Sequence, residues 1–247
     1  MKGLILLYYI CKHFLLFFIY SVLGWLVETI YTSINQKKLV DRGFLIGPYC
    51  PIYGLGAVTT ILYLTQYKNN FITIFFLGTI VSIIIEYLAS YLMEKIFKLR
   101  WWDYSDKKFN LNGRICGKNA ILFGICSLIL IYIIQPIIEL ILLKINSNIL
   151  IIISIILLII FITDTIISYN IVNKLKINLS KIEIKKDSTN EIKSLVLEAL
   201  NNNINGKTKN NKLQKRIIFA FPTLDINKFI KIKNNKLTNI KRLFQKK

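Results

Sequence analysis

Five long apolar stretches limit what this chain can fold into more than any other feature. They cover about residues 12–34, a stretch that begins after Pro48 and Pro51 and ends near Tyr67, and then about 71–97, 119–143 and 148–172. Each has roughly the 20 residues that an α-helix needs to cross a bilayer. At a mean hydropathy of +0.50, the chain is also too apolar for an ordinary soluble domain. The sequence therefore predicts an all-α fold, a polytopic membrane helical bundle of about five transmembrane helices within residues 1–173.

The remaining residues, 174–247, form a basic tail that is rich in asparagine. The tail holds 19 Lys and Arg against 5 Asp and Glu, so +14 of the formal charge of +20 lies there. Such a balance is typical of nucleic-acid binding, but in a polytopic chain it favours a cytoplasmic side that faces anionic lipid. We therefore expect membrane lipids as partners and no nucleic acid.

Two short apolar patterns interrupt the tail. The first combines Ile192, Leu195, Val196 and Leu200, and the second combines Ile217, Ile218, Phe219 and Phe221. With lysines and an arginine around it, the second pattern predicts a segment that lies on anionic headgroups. The alternative is a largely disordered basic tail.

Positive charge alternates from one connection to the next. The connections 35–50 and 95–118 hold three and seven Lys or Arg residues, whereas the other two hold one each, Lys68 and Lys144. Lys and Arg concentrate in cytoplasmic loops. With five spans, this pattern predicts an N-terminus outside the cell and a C-terminus inside.

Acidic residues within the predicted helices need a polar environment, because an ionised side chain in hydrocarbon costs at least a few kcal/mol. Glu28 shares one helical face with Ser21 and Gly24, and Glu86 lies in a run of small and polar residues at every fourth position. Small residues beside an acid allow close helix approach. We therefore predict that these acids face the protein interior. Where an acid lies near a helix end, the alternative is that it reaches water.

Two connections on the predicted cytoplasmic side are polar and irregular. Residues 41–56 are dense in Gly and Pro, and residues 100–114 mix aromatics, carboxylates, amides and arginines. Irregular backbone at membrane depth is tolerated only against protein or a water-filled cavity. We therefore expect these loops and the internal acids to form one wet pocket. The candidate substrate or polar cluster consists of Glu28, Arg42, Glu86, Trp102, Asp103, Asn112 and Arg114. The alternative is that the arginines face lipid headgroups and the tryptophans form an interfacial belt.

Several sequence blocks carry a resemblance to a known family. They are Tyr20-Ser21-x-x-Gly24-Trp25-x-x-Glu28, Arg42-Gly43-Phe44-Leu45-x-Gly47-Pro48, Pro51-Ile52-Tyr53-Gly54, Glu86-Tyr87, Trp102-Asp103-Tyr104-Ser105 and Asn110-x-Asn112-Gly113-Arg114. Occurring in order over about residues 13–172, they resemble the bacterial CmpB-type family of ABC-transporter type IV membrane proteins. The resemblance implies a multi-pass, permease-like component of a transport system in the bacterial cytoplasmic membrane. It carries over no substrate or catalytic residue.

Motifs that would indicate an enzyme are missing from the sequence. There is no Walker A pattern, so a separate ATP-binding subunit would have to hydrolyse ATP. One histidine, His13, cannot supply a Ser-His-Asp set at the cytoplasmic face, and the four cysteines lack the CxxC spacing of a zinc site. We therefore predict no catalytic, cofactor-binding or metal site. Because five spans are few for a solitary carrier, a homo-oligomer or a partner subunit is expected.

The sequence is compatible with two functions. The first is the transport component, with the internal acids and the broken second span building a substrate path. The second is a small membrane protein that binds, senses or modifies a lipid or envelope intermediate, with the loop 102–114 on the headgroup.

Overall fold

The computed structural model describes residues 2–98, 100–181 and 209–220, and its regular structure is helical. The helices are α1 (Lys2–Gln36), α2 (Pro51–Leu64), α3 (Phe71–Phe97), α4 (Gly117–Ile129), α5 (Gln135–Leu142), α6 (Ser147–Lys181) and α7 (Lys209–Ala220). The 3₁₀ turn Thr65–Tyr67 follows α2, and the π-helical turn Leu130–Ile134 joins α4 to α5. The predicted all-α fold is confirmed.

Four helical segments of the described chain are long and apolar enough to cross a membrane: Gly3–Gln36, Phe71–Phe97, Gly117–Leu142 and Ser147–Leu175. They indicate a multi-pass membrane protein. The second predicted span is different, because α2 has only 14 residues. At 1.5 Å per residue it is about 21 Å long, against a hydrocarbon thickness of about 30 Å. The prediction of five full-length helices is therefore wrong at this one element.

The segment 37–50, which precedes α2, folds back along α1 as irregular backbone. Its N–H groups donate hydrogen bonds to α1 at several points, among them Val40 to the Ser33 hydroxyl (3.0 Å), Arg42 to the Thr29 hydroxyl (3.4 Å) and Cys50 to the Ser21 carbonyl oxygen (2.9 Å). The acceptors move back along α1 as the donors advance, so the segment follows about 18 Å of that helix. As a result α2 begins beside the middle of α1. Its first residue is Pro51, whose missing N–H is no loss in a first turn.

The chain divides into two compact units. The first combines Met1–Ala89 with Tyr104–Ile166, and the second combines Ser90–Asp103 with the described residues of Ile167–Lys247. The predicted boundary at residue 173, between bundle and tail, stays a prediction.

The core of the first unit draws on five helices and the π-helical turn. Its most buried members include Leu16, Ile74 and Leu150, which are 2%, 0% and 0% exposed. Polar contacts also join helices: the Ser154 hydroxyl donates to the Cys11 carbonyl oxygen at 3.0 Å. Close packing and such interhelical hydrogen bonds hold helices together in lipid, where the hydrophobic effect between them is weak.

A proline explains the π-helical turn within the membrane-length segment Gly117–Leu142. Pro136 has no N–H, and in a regular α-helix its ring would clash with the carbonyl of Tyr132. The wider turn Leu130–Ile134 directly precedes Gln135 and Pro136. At this turn the Tyr20 hydroxyl donates to Gln135 Oε1 at 2.6 Å. Single π-turns inside α-helices often occur at functional sites.

The second unit has its own aromatic and aliphatic core. The Phe97 ring lies 5.6 Å from the Trp101 ring and 5.7 Å from the Tyr169 ring, measured between centroids. Trp101 is 2% exposed, so the alternative that placed it in an interfacial belt is wrong.

Helix α7 contradicts one expectation for the tail. Ile217 and Ile218 are 2% and 3% exposed, so protein covers them and they do not lie on lipid headgroups as predicted. Phe221 of the same pattern, and the earlier pattern at residues 192–200, lie outside the described residues.

Candidate functional site

Glu28, on α1, is held in a hydrogen-bonded ion pair. The Arg42 guanidinium donates from Nε to Glu28 Oε1 at 2.9 Å and from Nη2 to the same oxygen. The Tyr53 hydroxyl donates to the other oxygen, Oε2, at 2.8 Å. The side chains of Arg42 and Glu28 are 16% and 24% exposed. A largely buried carboxylate is tolerated when its charge is paired and its oxygens are hydrogen-bonded, as here.

Glu86, on α3, is a second buried acid and is 7% exposed. The side chains of Asn119 and Tyr104 form hydrogen bonds with its carboxylate. Burial raises the pKa of the Tyr104 hydroxyl, and the charge of Glu86 raises it further. Tyr104 therefore stays a neutral hydrogen-bond donor across the physiological range.

The two acids lie in one electrostatic neighbourhood. The charge of Glu28 acts on both Glu86 and Tyr104. We call these two acids and the four side chains that bind them the polar centre: Glu28, Arg42, Tyr53, Glu86, Tyr104 and Asn119. The centre contains two carboxylates, one guanidinium, two phenols and one amide, so its formal charge is negative when both acids are ionised.

A third buried acid, Asp164 on α6, holds the irregular segment in place. Its Oδ1 accepts the N–H of Ile46 at 3.0 Å, and its Oδ2 accepts the N–H of Gly47 at 2.8 Å and the hydroxyl of Tyr49 at 2.6 Å. Asp164 thus satisfies backbone donors that the segment does not pair within itself.

Asn112 and Arg114 both lie against Tyr87, the neighbour of Glu86 in sequence. Asn112 Nδ2 donates to the Tyr87 hydroxyl at 3.1 Å, and the Arg114 guanidinium carbon lies 5.6 Å from the centre of the Tyr87 ring. An arginine at this distance over an aromatic face makes a cation–π contact. These two predicted site residues therefore contact the residue that follows Glu86 in the chain.

Trp102 and Asp103 belong to the second unit. Asp103 Oδ2 accepts a hydrogen bond from Arg100 Nη1 at 2.9 Å, so this acid holds an arginine three residues before it in the chain. Trp102 is half-buried.

One family comparison identifies what kind of chain this is. The family described as "Putative ABC-transporter type IV" (ABC_trans_CmpB) matches residues 15–169. The chain belongs to this family. Neither a curated protein nor a solved structure is similar enough to the chain to be matched. The resemblance inferred from the sequence blocks is confirmed, and the matched range nearly equals the predicted one.

In this family member the structure brings several residues of the predicted cluster together. Glu28 and Arg42, both members of that cluster, form an ion pair, and Glu86 is close enough to Glu28 for their charges to interact. Sequence reasoning missed the hydrogen-bonding members of the centre: Tyr53, Tyr104 and Asn119. Tyr53 and Tyr104 occur in the family-like blocks, which was a usable signal. Asn119 lies outside those blocks, near the start of α4, and no sequence pattern marked it.

The described residues contain no group of three or more His, Cys, Asp or Glu side chains that could hold a metal ion. All four cysteines are free thiols, and Cys50 and Cys116 are buried. The polar centre can bind a charged or hydrogen-bonding group, since it offers carboxylate and amide oxygens, phenol hydroxyls and one guanidinium.

Proposed function

We propose that this protein is the membrane-embedded, permease-like component of an ABC-type transport system in the bacterial cytoplasmic membrane, and that the polar centre lies on its substrate path. The family membership supports the type of system. The observation that carries the proposal is the pairing of buried acids with neutral donors and a guanidinium inside a bundle of apolar helices. Ionisable residues at membrane depth are costly, and they generally mark substrate or ion pathways.

The broken second crossing supports the same function. Many transporters bind substrate where a discontinuous helix begins near the membrane midplane and an irregular segment completes the crossing. Residues 37–50 and α2 have this form, and Arg42 and Tyr53 come from the two parts. We therefore propose five crossings, the second made jointly by the segment and the short helix. With the basic connections inside, the N-terminus is outside and the C-terminus is inside.

Energy for transport would come from a partner. The chain lacks a Walker A pattern, so we propose a separate ATP-binding subunit at the cytoplasmic side, and a second copy of this chain as a further candidate partner. Lipids surround the bundle, and no nucleic acid is part of the proposal.

The test is purification of the full chain from its native membrane in a mild detergent, followed by reconstitution with whatever ATPase accompanies it. We expect an ATP-binding protein in stoichiometric amount, and ATP hydrolysis that falls at least tenfold in Arg42→Gln. Glu139→Gln is the matched control, because Glu139 forms an ion pair with Lys12 but is about half exposed. Absence of any ATPase from the purified material, with the protein folded, overturns the proposal.

A second function, recognition of a lipid headgroup at the cytoplasmic face, is favoured by one observation. Phe109 is 88% exposed and Leu111 is 53% exposed, and Lys107 and Lys108 precede them in the loop. Exposed apolar residues beside lysines suit a membrane surface. Lipid extraction from the purified protein tests it: one enriched anionic lipid is expected, and it is lost in Phe109→Ser. Equal lipid composition in both samples contradicts this function.

A further inference from the structure

Helices α1 and α3 contain two copies of one sequence pattern. Residues of α1 recur 58 positions later in α3, with the form Phe-Phe-x-x-Ser/Thr-x-x-Gly/Ser-x-x-x-Glu. The matched pairs are Phe17 with Phe75, Phe18 with Phe76, Ser21 with Thr79, Gly24 with Ser82 and Glu28 with Glu86. Between these positions both copies are filled with aliphatic residues in most places. The two acids of the polar centre are therefore equivalent positions of a repeat.

The contacts of the two copies also correspond. The Ser21 hydroxyl donates to the Phe17 carbonyl oxygen at 2.7 Å, and the Thr79 hydroxyl donates to the Phe75 carbonyl oxygen at 2.8 Å. Each hydroxyl meets a glycine of the following helix. A Cβ added at Gly54 of α2 would lie 2.2 Å from Ser21 Oγ, and one added at Gly124 of α4 would lie 2.3 Å from Thr79 Oγ1.

The second helix of each copy begins in the same way. A buried cysteine in extended conformation, Cys50 or Cys116, is the N-cap of α2 or α4. A glycine precedes each cysteine by three residues, and its N–H is bound by a side-chain oxygen: Gly47 by Asp164 and Gly113 by Asn110.

The third residue of each second helix binds the acid of its own copy. Tyr53 is third in α2 and donates to Glu28, and Asn119 is third in α4 and forms a hydrogen bond with Glu86. The helix–loop–helix units α1–α2 and α3–α4 thus share their sequence pattern, their helix contacts and the placement of one acid.

The two copies differ in what neutralises that acid. In the first copy the Arg42 guanidinium binds Glu28. In the second copy the neutral side chains of Asn119 and Tyr104 form hydrogen bonds with Glu86, and the like charge of Glu28 lies nearby. Like charges in a buried site disfavour each other, so a positive charge at Glu86 would stabilise the centre.

We propose that Glu86, Tyr104 and Asn119 form a site for a small exchangeable cation, at the place equivalent to the one that the Arg42 guanidinium fills in the first copy. The cation is a proton, an alkali-metal ion or a small protonated amine, whose shared chemistry is a single positive charge that binds oxygen ligands. The proposal rests on the proposed transport function and specifies what the polar centre takes up. In the first copy, the Arg42 guanidinium thus occupies the place that the cation occupies in the second copy.

The charged and titratable groups that face this site come from four elements. The Glu28 carboxylate, on α1, accepts hydrogen bonds from Arg42 of the segment 37–50 and from Tyr53 of α2. Tyr104 belongs to the loop before α4, and the Cys116 thiol lies near it. Arg114 of the same loop lies over the ring of Tyr87, the neighbour of Glu86 in sequence. Glu86 itself is subject to the like charge of Glu28, and the Arg42 guanidinium is bound by Glu28.

The test measures cation binding by the purified full chain, without an ATPase or transport. The melting temperature in detergent is followed in sodium, potassium and methylammonium chloride, with the bulky cation N-methylglucamine keeping ionic strength constant. Infrared spectra over a pH series report carboxyl protonation. We expect a saturable rise of several degrees with one of the three salts, or a protonated-carboxyl band that grows as pH falls. The first result identifies a metal ion or amine, and the second identifies the proton.

Variants assign the response to the site. Glu86→Gln is expected to abolish the rise or the band, and Tyr104→Phe is expected to raise the half-saturating cation concentration about tenfold. Glu139→Gln, at an acid outside the polar centre, is expected to leave the response unchanged. If Glu86→Gln fails to fold, Tyr104→Phe and Asn119→Ser carry the test. A response that is the same in these variants as in the wild type, or no response to any cation or to pH, overturns the cation site and leaves the transport proposal standing.

Discussion

Asp164 binds the backbone of the irregular segment through both carboxylate oxygens, so its substitution tests how that segment is held. In Asp164→Ala, the partly buried N–H groups of Ile46 and Gly47 and the buried Tyr49 hydroxyl lose their acceptor. Each unsatisfied buried donor costs about 1–3 kcal/mol. We expect the free energy of unfolding in detergent to fall by about 3 kcal/mol or more.

The control for this change is Thr163→Val, at the position next to Asp164. The Thr163 hydroxyl donates to the Ile159 carbonyl of its own helix and is exposed, so its loss should change stability by less than about 0.5 kcal/mol. Equal effects of the two substitutions would show that Asp164 does not hold the segment.

Substitution of Tyr53 tests how much its neutral hydroxyl contributes to holding the Glu28 carboxylate. In Tyr53→Phe, Glu28 loses the donor on Oε2 while the Arg42 contacts remain. A hydrogen bond to a charged group contributes about 1.5–3 kcal/mol, so thermal unfolding should reveal a loss of that order. Tyr63→Phe, on the same helix at a side chain that is 63% exposed, should be nearly neutral. A neutral Tyr53→Phe contradicts the hydrogen bond.

At the scale of elements, the packing of α2 on α1 depends on a glycine. A Cβ at Gly54 would lie 2.2 Å from the Phe17 carbonyl oxygen, a backbone atom that cannot turn away. Gly56, two residues later, has nothing within 4 Å of an added Cβ. We expect Gly54→Ala to lower the melting temperature markedly.

Gly56→Ala serves as the matched control and should have the opposite sign. Alanine is favoured over glycine inside a helix by about 1 kcal/mol, so this variant should melt at the same or a higher temperature. Similar melting curves for the two variants would mean that α2 does not pack closely on α1.

At the scale of the whole molecule, the number of crossings decides the topology. Leu39, which is 96% exposed, lies before α2, and Asn69 is exposed in the turn after it. If residues 37–50 and α2 together cross the membrane, the two positions lie on opposite sides. In intact cells a membrane-impermeant maleimide should label Asn69→Cys and spare Leu39→Cys.

Permeabilised cells provide the control, because both positions should then react. The wild-type chain should react weakly, since three of its four cysteines are buried. Labelling of both variants in intact cells, or of neither, would show that α2 returns to the side from which it came and that the proposed topology fails.

The sequence was sufficient to predict the elements whose length and apolar composition allow only a membrane-spanning helix. The span 71–97 is confirmed residue for residue as α3, because an unbroken apolar run of that length satisfies its backbone only as a helix in lipid. The sequence also predicted that Glu28 and Arg42 belong to one polar cluster, since an internal acid needs a polar environment, but it did not specify their ion pair. The short α2 was missed because hydropathy records apolar residues but not where the backbone becomes helical.

What the sequence determined by itself is therefore the class of protein, the four long helices, the family and the need for a polar interior. Only the tertiary structure showed which neutral side chains form hydrogen bonds with the buried acids. Tyr53, Tyr104 and Asn119 bind the acids, and Asp164 binds a loop more than a hundred residues before it. The physical reason is that hydropathy is a property of each segment, whereas a hydrogen bond between distant segments depends on how the helices pack.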